Sequence, residues 1–447
     1  MRENSDTTEI SASLTSYRSR TLGVVAGTLL PRFFGFLTHF SSKSVNQGKR
    51  RHSVLRLGIP RRFVMKPPAI VLDGMSLTCR DLSRLGSRKY DISICDLAMD
   101  RIVKARQVVD RLVSRGSVAY GINTGFGLFS DVVIDKEKLS ILQTNLIRSH
   151  AAGVGIPLSP AETRRLLALR INVLAKGHSG IRKETVEKMV KALNANCLSV
   201  VPSQGTVGAS GDLAPLSHLA LGLMGEGMMW DPDMPDKQSP SNEVLQRKGI
   251  EPIRLEAKEG LAMINGTQMM TSITAEATVR AASLAVTADV ACALSIEALK
   301  GTPSAFEPCI HATRPHQGQV GVAKRLLGLL LPSSEIFNSH RYEGKVQDAY
   351  SMRCAPQVHG VAHDTIAFVE SLLDVEMNSA TDNPMVFDED HEVSLIVPQH
   401  SSGESKSSLR DAEPRDGKFK THKRNSDTFY PAPGGFVISG GNFHGKN

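Results

Sequence analysis

The chain has 447 residues, of which 41% are hydrophobic and 22% charged. These shares fit a globular protein and exclude a collagen-like, wholly disordered or membrane-spanning chain, and the length allows roughly two to four domains or one large helical domain with appendages. The net charge of +8 belongs to the N-terminal stretch: residues 10–72 hold eleven Lys or Arg and no acid, which leaves 73–447 near neutral and argues against a nucleic-acid-binding face on the folded part.

Residues 1–68 read as a basic, disordered extension with the runs Lys49-Arg50-Arg51 and Arg61-Arg62. An Arg- and Ser-rich stretch suggests a transit peptide, but Glu3, Asp6 and Glu9 count against one. The apolar run 22–31 is too short to span a bilayer. The six cysteines form no CxxC pair and no disulfide framework, so a reduced, cytoplasmic location is expected.

From about Ala69 the texture changes. Ala69-Ile70-Val71-Leu72 predicts a short strand, followed by a turn at Asp73-Gly74. Ser159-Pro160-Ala161-Glu162 is a helix start: Ser159 caps, Pro160 suits the first helical position and Glu162 closes a capping box. That helix should end near Gly177. Residues 269–299 predict one long helix, with Ile273, Ala277, Ala281, Leu284, Ala288 and Ala291 as a packing stripe of mostly small residues. A further helix over 361–377 should bury Val361, Ile366, Val369, Leu373 and Met377. Residues 389–434 read as a charged, flexible insertion, and 435–447 as a return to ordered sequence.

Two glycine-rich stretches are candidates for chemistry. Tyr120-Gly121-Ile122-Asn123-Thr124-Gly125-Phe126-Gly127 lacks the Gly-Lys-Ser/Thr of a phosphate loop and the spacing of a dinucleotide fold. It is a loop headed by a tyrosine, either an acid–base group or an ordinary core or interface residue. In the second stretch, Gly205 to Leu216, Ser210 is followed directly by Gly211, so it does not match a serine hydrolase elbow. The tripeptide Ala209-Ser210-Gly211 offers a rarer reaction. The Gly211 amide nitrogen can attack the Ala209 carbonyl, and loss of two waters, one from Ser210, leaves a 4-methylidene-imidazol-5-one ring. An isolated Ala-Ser-Gly is common, so the context decides.

That context is YGINTGFG at 120–127, RSHAAG at 148–153, GTVGASGDLAPLSHLALGLMGEG at 205–227, EGLAMINGTQ at 259–268, QDAYSMRCAPQVHG at 347–360, NSATDNPMVF at 378–387 and SGGNFHG at 439–445. With these motifs, from about residue 70 to 388 and again at 439–445, the chain resembles the histidine ammonia-lyases, a branch of the aromatic amino acid lyase family. Asn123 and Ser149-His150 point to the histidine branch rather than the phenylalanine branch.

The resemblance implies a mainly α fold: a long helical bundle of the ammonia-lyase/fumarase-like type with a smaller N-terminal α+β part. It implies conversion of L-histidine to trans-urocanate and ammonia, an amino-acid substrate and a homotetramer, with no nucleic acid, membrane or metal partner. Ala209, Ser210 and Gly211 would form the ring cofactor, 4-methylidene-imidazol-5-one. Tyr120 would act near the substrate β-carbon and amine, and Asn265 would hydrogen-bond the ring oxygen or the substrate. Gln347 and Tyr350 would line the site, Arg353 would pair with the substrate carboxylate, His150 would face the imidazole and Phe443 would pack by the ring. His311, His316 and Met269-Met270 are read as structural. A phenylalanine or tyrosine ammonia-lyase or aminomutase is the alternative enzyme. The non-enzyme alternative is an inactive truncated isoform that works through assembly alone.

Two departures from the family carry expectations. The relatives continue well past GGNFHG with a helical segment that supplies a glutamate, whereas this chain reaches Asn447. The C-terminal part of the fold is therefore expected to be missing, and the chain alone poorly stable and nearly inactive. Phe387 and Ser439 are separated by a long charged tract where relatives have a short hairpin, which implies a real insertion or a faulty gene model.

Overall fold

The structure, a computed structural model, describes residues 67–208, 211–330 and 347–388 (the side chain of Leu128 excepted), with the backbone of 436–438. The expected extension and insertion, Ala209, Ser210 and Phe443 all lie outside the described residues.

Eight described helices run eleven residues or longer: α1 (Asp96–Ser114), α2 (Leu139–His150), α3 (Pro160–Ala175), α4 (Lys183–Asn194), α5 (Leu213–Leu223), α6 (Gln268–Ala298), α7 (Gln317–Leu330) and α8 (Ala355–Met377). The strands are short. β1 (Ala69–Leu72) pairs in parallel with β2 (Asp91–Ile94). β3 (Val154–Pro157) runs antiparallel to the later β5 (Pro202–Gln204). β4 (Leu198–Ser199), β6 (Met228–Trp230) and β7 (Gln238–Pro240) form an antiparallel sheet in that order. β8 (Met385–Phe387) pairs antiparallel with β9 (Phe436–Ile438), so the chain returns to the fold after the charged tract.

The mainly α architecture follows from how each helix finds cover. α3 starts as its sequence predicts: the Ser159 hydroxyl accepts from the Glu162 amide, and the Glu162 carboxylate accepts from the Ser159 amide. It ends at Ala175, with Gly177 at φ +88° just beyond. Every residue from Thr163 to Ala175 is buried, so α3 is the central post of the main core. Its buried Arg164 is satisfied by the carbonyls of Leu85, Tyr90 and Leu193 and by the Asn196 side chain.

α6 is the long helix the sequence predicts, but a different face of it is buried. Met269, Ala275, Ala293 and Ile296, with Thr271, Ser272, Thr278 and Asp289, pack within the chain. The expected stripe from Ile273 to Ala291 is exposed or half-buried, and Leu284 is 69% exposed. Between Thr278 and Asp289 no residue is buried at all. Periodicity identifies an apolar face; it does not say which partner covers it. α8 shows the same effect. It begins at Ala355, earlier than expected; Leu373 and Met377 are buried and Ile366 and Val369 half-buried, whereas Val361 is 62% exposed.

α7 crosses α8 backbone to backbone. A Cβ on Gly318 would lie 2.1 Å from the Gly360 carbonyl oxygen, so only glycine fits there. In the same bundle the fully buried Asp289 of α6 ties three side chains together. Arg325 of α7 donates to its Oδ2, His359 Nδ1 lies 2.7 Å from Oδ1, and His363 Nε2 lies 2.9 Å from Oδ2. His311 is structural, as expected: it is buried between the Ala305 carbonyl and the Gln319 side chain.

Candidate active site

The β3–β5 pairing brings the His150–Gly153 segment onto the start of the second glycine-rich loop. A Cβ on Gly205 would lie 2.9 Å from Gly153 Cα, and the Gly153 amide donates to His218 Nε2 at 3.0 Å. Gly208 and Gly211 hold φ of +70° and +95°, the left-handed region that glycine takes without strain. A side chain at Gly211 would put its Cβ 3.0 Å from the Gly266 carbonyl oxygen. Glycine is thus the residue that fits at that position.

The loop is fastened by Asp212, a residue the sequence reading passed over. Its amide donates to the Gly266 carbonyl at 2.7 Å, its Oδ1 accepts from Thr206 Oγ1 at 2.9 Å, and its Oδ2 accepts from the amides of Met269 and Met270 at 2.8 and 3.0 Å. The carboxylate therefore sits on the N-terminus of α6, where the helix dipole favours an anion. Burial pushes its pKa up, against the hydrogen bonds that pull it down.

Tyr120 and Asn265 meet the same region from the other side. Tyr120 is half-buried in a turn whose ends are bridged by Asn123, which accepts from the Ala119 amide and donates to the Ser117 carbonyl. Next to it, Gly121 at φ +73° lies so close to Leu261 and Pro384 that a Cβ would fall 2.5 and 2.9 Å from their side chains. Asn265 is 7% exposed, and its amide donates to the Asn383 carbonyl, one residue before Pro384. The loops bearing Tyr120, Gly211 and Asn265 therefore converge through Gly266, Leu261 and Pro384.

His150 ends α2. Its Nδ1 lies 2.9 Å from both the Leu146 carbonyl oxygen and the Ser149 hydroxyl oxygen, so that nitrogen is engaged within the chain and Nε2 is the ring nitrogen left for other contacts. The remaining candidates lie elsewhere. Asp348 binds the Thr302 amide just past the C-terminus of α6, and Gln347, Tyr350 and Arg353 sit with it. Tyr350 is 69% exposed, with the Arg353 guanidinium 4.8 Å from its ring centre. Asn265 precedes the other end of α6, about 45 Å away along a 31-residue helix. One chain does not bring the two groups together.

His218 gives this site a pH dependence. Burial lowers its pKa below 6.5, and its Nε2 must stay unprotonated to accept from Gly153. The unfolded chain then binds more protons just below pH 6.5, so stability should fall as pH drops through that range. Melting curves between pH 7.5 and about 5 check this; His218→Gln, which offers an acceptor that does not titrate there, should flatten the acid limb. An acid limb unchanged in that variant would remove His218 as its source.

A family profile described as aromatic amino acid lyase matches residues 77–447. The histidine ammonia-lyase of Mus musculus is 56% identical over 321 residues, covering 71% of this chain and 49% of the relative. That of Caenorhabditis elegans is 53% identical over 336 residues, covering 74% and 49%. The chain thus spans about half the length of these curated relatives. Among solved structures, histidine ammonia-lyase from Trypanosoma cruzi superposes with a TM-score of 0.68 at 45% identity, covering 85% of this chain and 62% of that one. Tyrosine aminomutase from Streptomyces globisporus gives 0.66 at 35% identity, covering 73% and 64%.

Proposed function

Because the chain belongs to the aromatic amino acid lyase family, we propose that it acts as a histidine ammonia-lyase, releasing ammonia from L-histidine to leave trans-urocanate. The observation that carries this reading is the convergence of the Tyr120, Gly211 and Asn265 loops on the N-terminus of α6.

In this reading Ala209, Ser210 and Gly211 cyclise to the methylidene-imidazolone, which supplies an electrophile that makes the amino group a better leaving group. Asp212 and Gly266 hold the loop on which it forms. Tyr120 moves the proton at the substrate β-carbon. Asn265 orients the ring oxygen or the substrate through its side-chain amide. The Nε2 of His150 contacts the substrate imidazole, and the Ser149-His150 pair of the motif favours histidine over the runner-up reading, a phenylalanine or tyrosine lyase or aminomutase. Arg353 pairs with the substrate carboxylate, a contact that a planar guanidinium makes with two parallel hydrogen bonds. Gln347 and Tyr350 line the site beside it, and Phe443 packs by the ring.

Those last groups come from other copies of the chain in a homotetramer. Two features support this: the separation of the two groups along α6, and the exposed apolar stripe of α6 from Ile273 to Ala291. The pairing of β8 with β9 supports reading 69–388 and 435–447 as parts of one core. The cytoplasm is the compartment that fits the cysteine usage.

The test is a chimera in which the remaining length of the mouse relative follows Gly445, assayed for ammonia and urocanate beside the 447-residue chain. Histidine should be turned over on the order of 10²-fold better than phenylalanine or tyrosine, because the site must satisfy a polar ring. His150→Leu should narrow that gap to about tenfold. Equal turnover of phenylalanine would move the assignment to the runner-up.

A further inference from the structure

Behind Asn265 lie three wholly buried charges: Arg170, Lys258 and Asp382. Arg170, on α3, donates to the carbonyls of Asn265 and Ala262 and to Gln268 Oε1. Its NH2 faces Asp382 Oδ2 at 3.9 Å. Lys258 Nζ lies 3.4 Å from Asp382 Oδ1, which also accepts from the Asn383 amide at 2.7 Å. Asn383 in turn offers its carbonyl to the Asn265 side chain, and Pro384 packs on Gly121 beside Tyr120. The neighbouring Thr381 hydroxyl accepts from Gln268 Nε2 at 2.7 Å.

The cluster is poorly arranged for stability. Its two ion-pair contacts are long, Asp382 Oδ2 and Arg170 Nε have no hydrogen bond, and two cations share one anion. Burial lowers the pKa of both cations, Arg170 to about 10, and the lone carboxylate opposes this. Lys258 is also held at φ +74°, a left-handed conformation that a lysine adopts only under strain. Apolar residues of similar size would often serve a core equally well or better. Charge retained at such cost, one residue from the group that holds Asn265, points to the site.

We infer that Asp382, braced by Arg170 and Lys258, is a positioning residue that sets the Asn265 amide and, through Asn383 and Pro384, the Tyr120 turn. The inference rests on the lyase reading for its kinetic consequence and on the fold alone for its structural one. Asp382 touches no substrate atom; it fixes both partners of one contact, since the Asn265 backbone hangs on Arg170 and the Asn265 side chain on Asn383.

The test replaces the charges with apolar residues. Asp382→Asn leaves two buried cations unopposed and serves only as the destabilised reference. Asp382→Leu/Lys258→Met removes the closer ion pair together while Arg170 keeps its hydrogen bonds to Asn265, Ala262 and Gln268, so the double variant should melt well above Asp382→Asn. In this double variant of the 447-residue chain, amide exchange should quicken at least tenfold in 118–125 and 262–268 and stay unchanged in α4. In the chimera, kcat should fall at least tenfold with KM within threefold. Parent-like exchange and kcat would mean that the charges only balance each other, and the inference would be wrong. Exchange raised equally everywhere would also overturn it, as general loosening. A parent chimera inactive on histidine would defeat the lyase reading, while the exchange arm still decides the positioning role.

Discussion

On the lyase reading, Ser210→Ala in the chimera will abolish ammonia release while leaving the fold intact. The reaction that makes the electrophile needs the Gly211 nitrogen to bond to the Ala209 carbonyl carbon, with one water lost on ring closure. The second water leaves with the Ser210 hydroxyl and creates the methylidene group. Alanine has no hydroxyl to lose, so the ring cannot reach its electrophilic form. The substrate β-proton is weakly acidic and ammonium is a poor leaving group, so turnover should drop at least about 10³-fold, roughly 4 kcal/mol of activation free energy. Parent protein should weigh less than its sequence by two waters and absorb in the near ultraviolet; the variant should do neither. On the same reading the step draws on the Gly211 backbone, which holds φ +95° with Gly266 crowding any side chain there. A parent mass equal to the unmodified sequence would show that the loop does not cyclise in this chain.

Asp289→Ala will produce the largest loss of stability in the bundle. The carboxylate is fully buried and serves Arg325, His359 and His363 at once. Removing one partner of a buried ionic cluster leaves the others unpaired, which costs about 3–5 kcal/mol. In a chain of this size that corresponds to a fall of roughly 3–5 °C in melting temperature. Asp289→Asn keeps the volume and one acceptor and should fall between the two. Thermal melts of the three proteins decide the matter; a change below about 1 kcal/mol for the alanine variant would mean that solvent and neighbouring carbonyls replace the carboxylate.

What could be read in the sequence was whatever is encoded locally. The capping box at Ser159–Glu162 and the strand at Ala69–Leu72 are short-range and appear as expected. The candidate residues came from motif resemblance, and the structure supports their grouping at Tyr120, Gly211 and Asn265. The supporting charges were missed because their role exists only in three dimensions. Asp212 meets Met269 across 57 positions, and Lys258 meets Asp382 across 124. A signal was nevertheless present for Asp289, the only charged residue in the apolar stretch 281–296. An isolated acid on an otherwise apolar helix needs a buried partner. The face of α6 differs for the opposite reason: its apolar pattern is real, but none of the described residues covers it.

The length of α6 has a consequence for how this protein can change. A straight helix fixes both the span between its ends and their relative bearing. Adding one residue within it would displace the Gln347–Arg353 end by about 1.5 Å and swing it by about 100°. Substitutions along the exposed middle of α6 leave span and bearing untouched. Insertions and deletions do not, and in the proposed homotetramer they would throw neighbouring copies out of phase even where each copy still folded. On the homotetramer reading the helix is a calibrated spacer: the composition of its exposed middle can drift, while its residue count is held by the geometry of assembly.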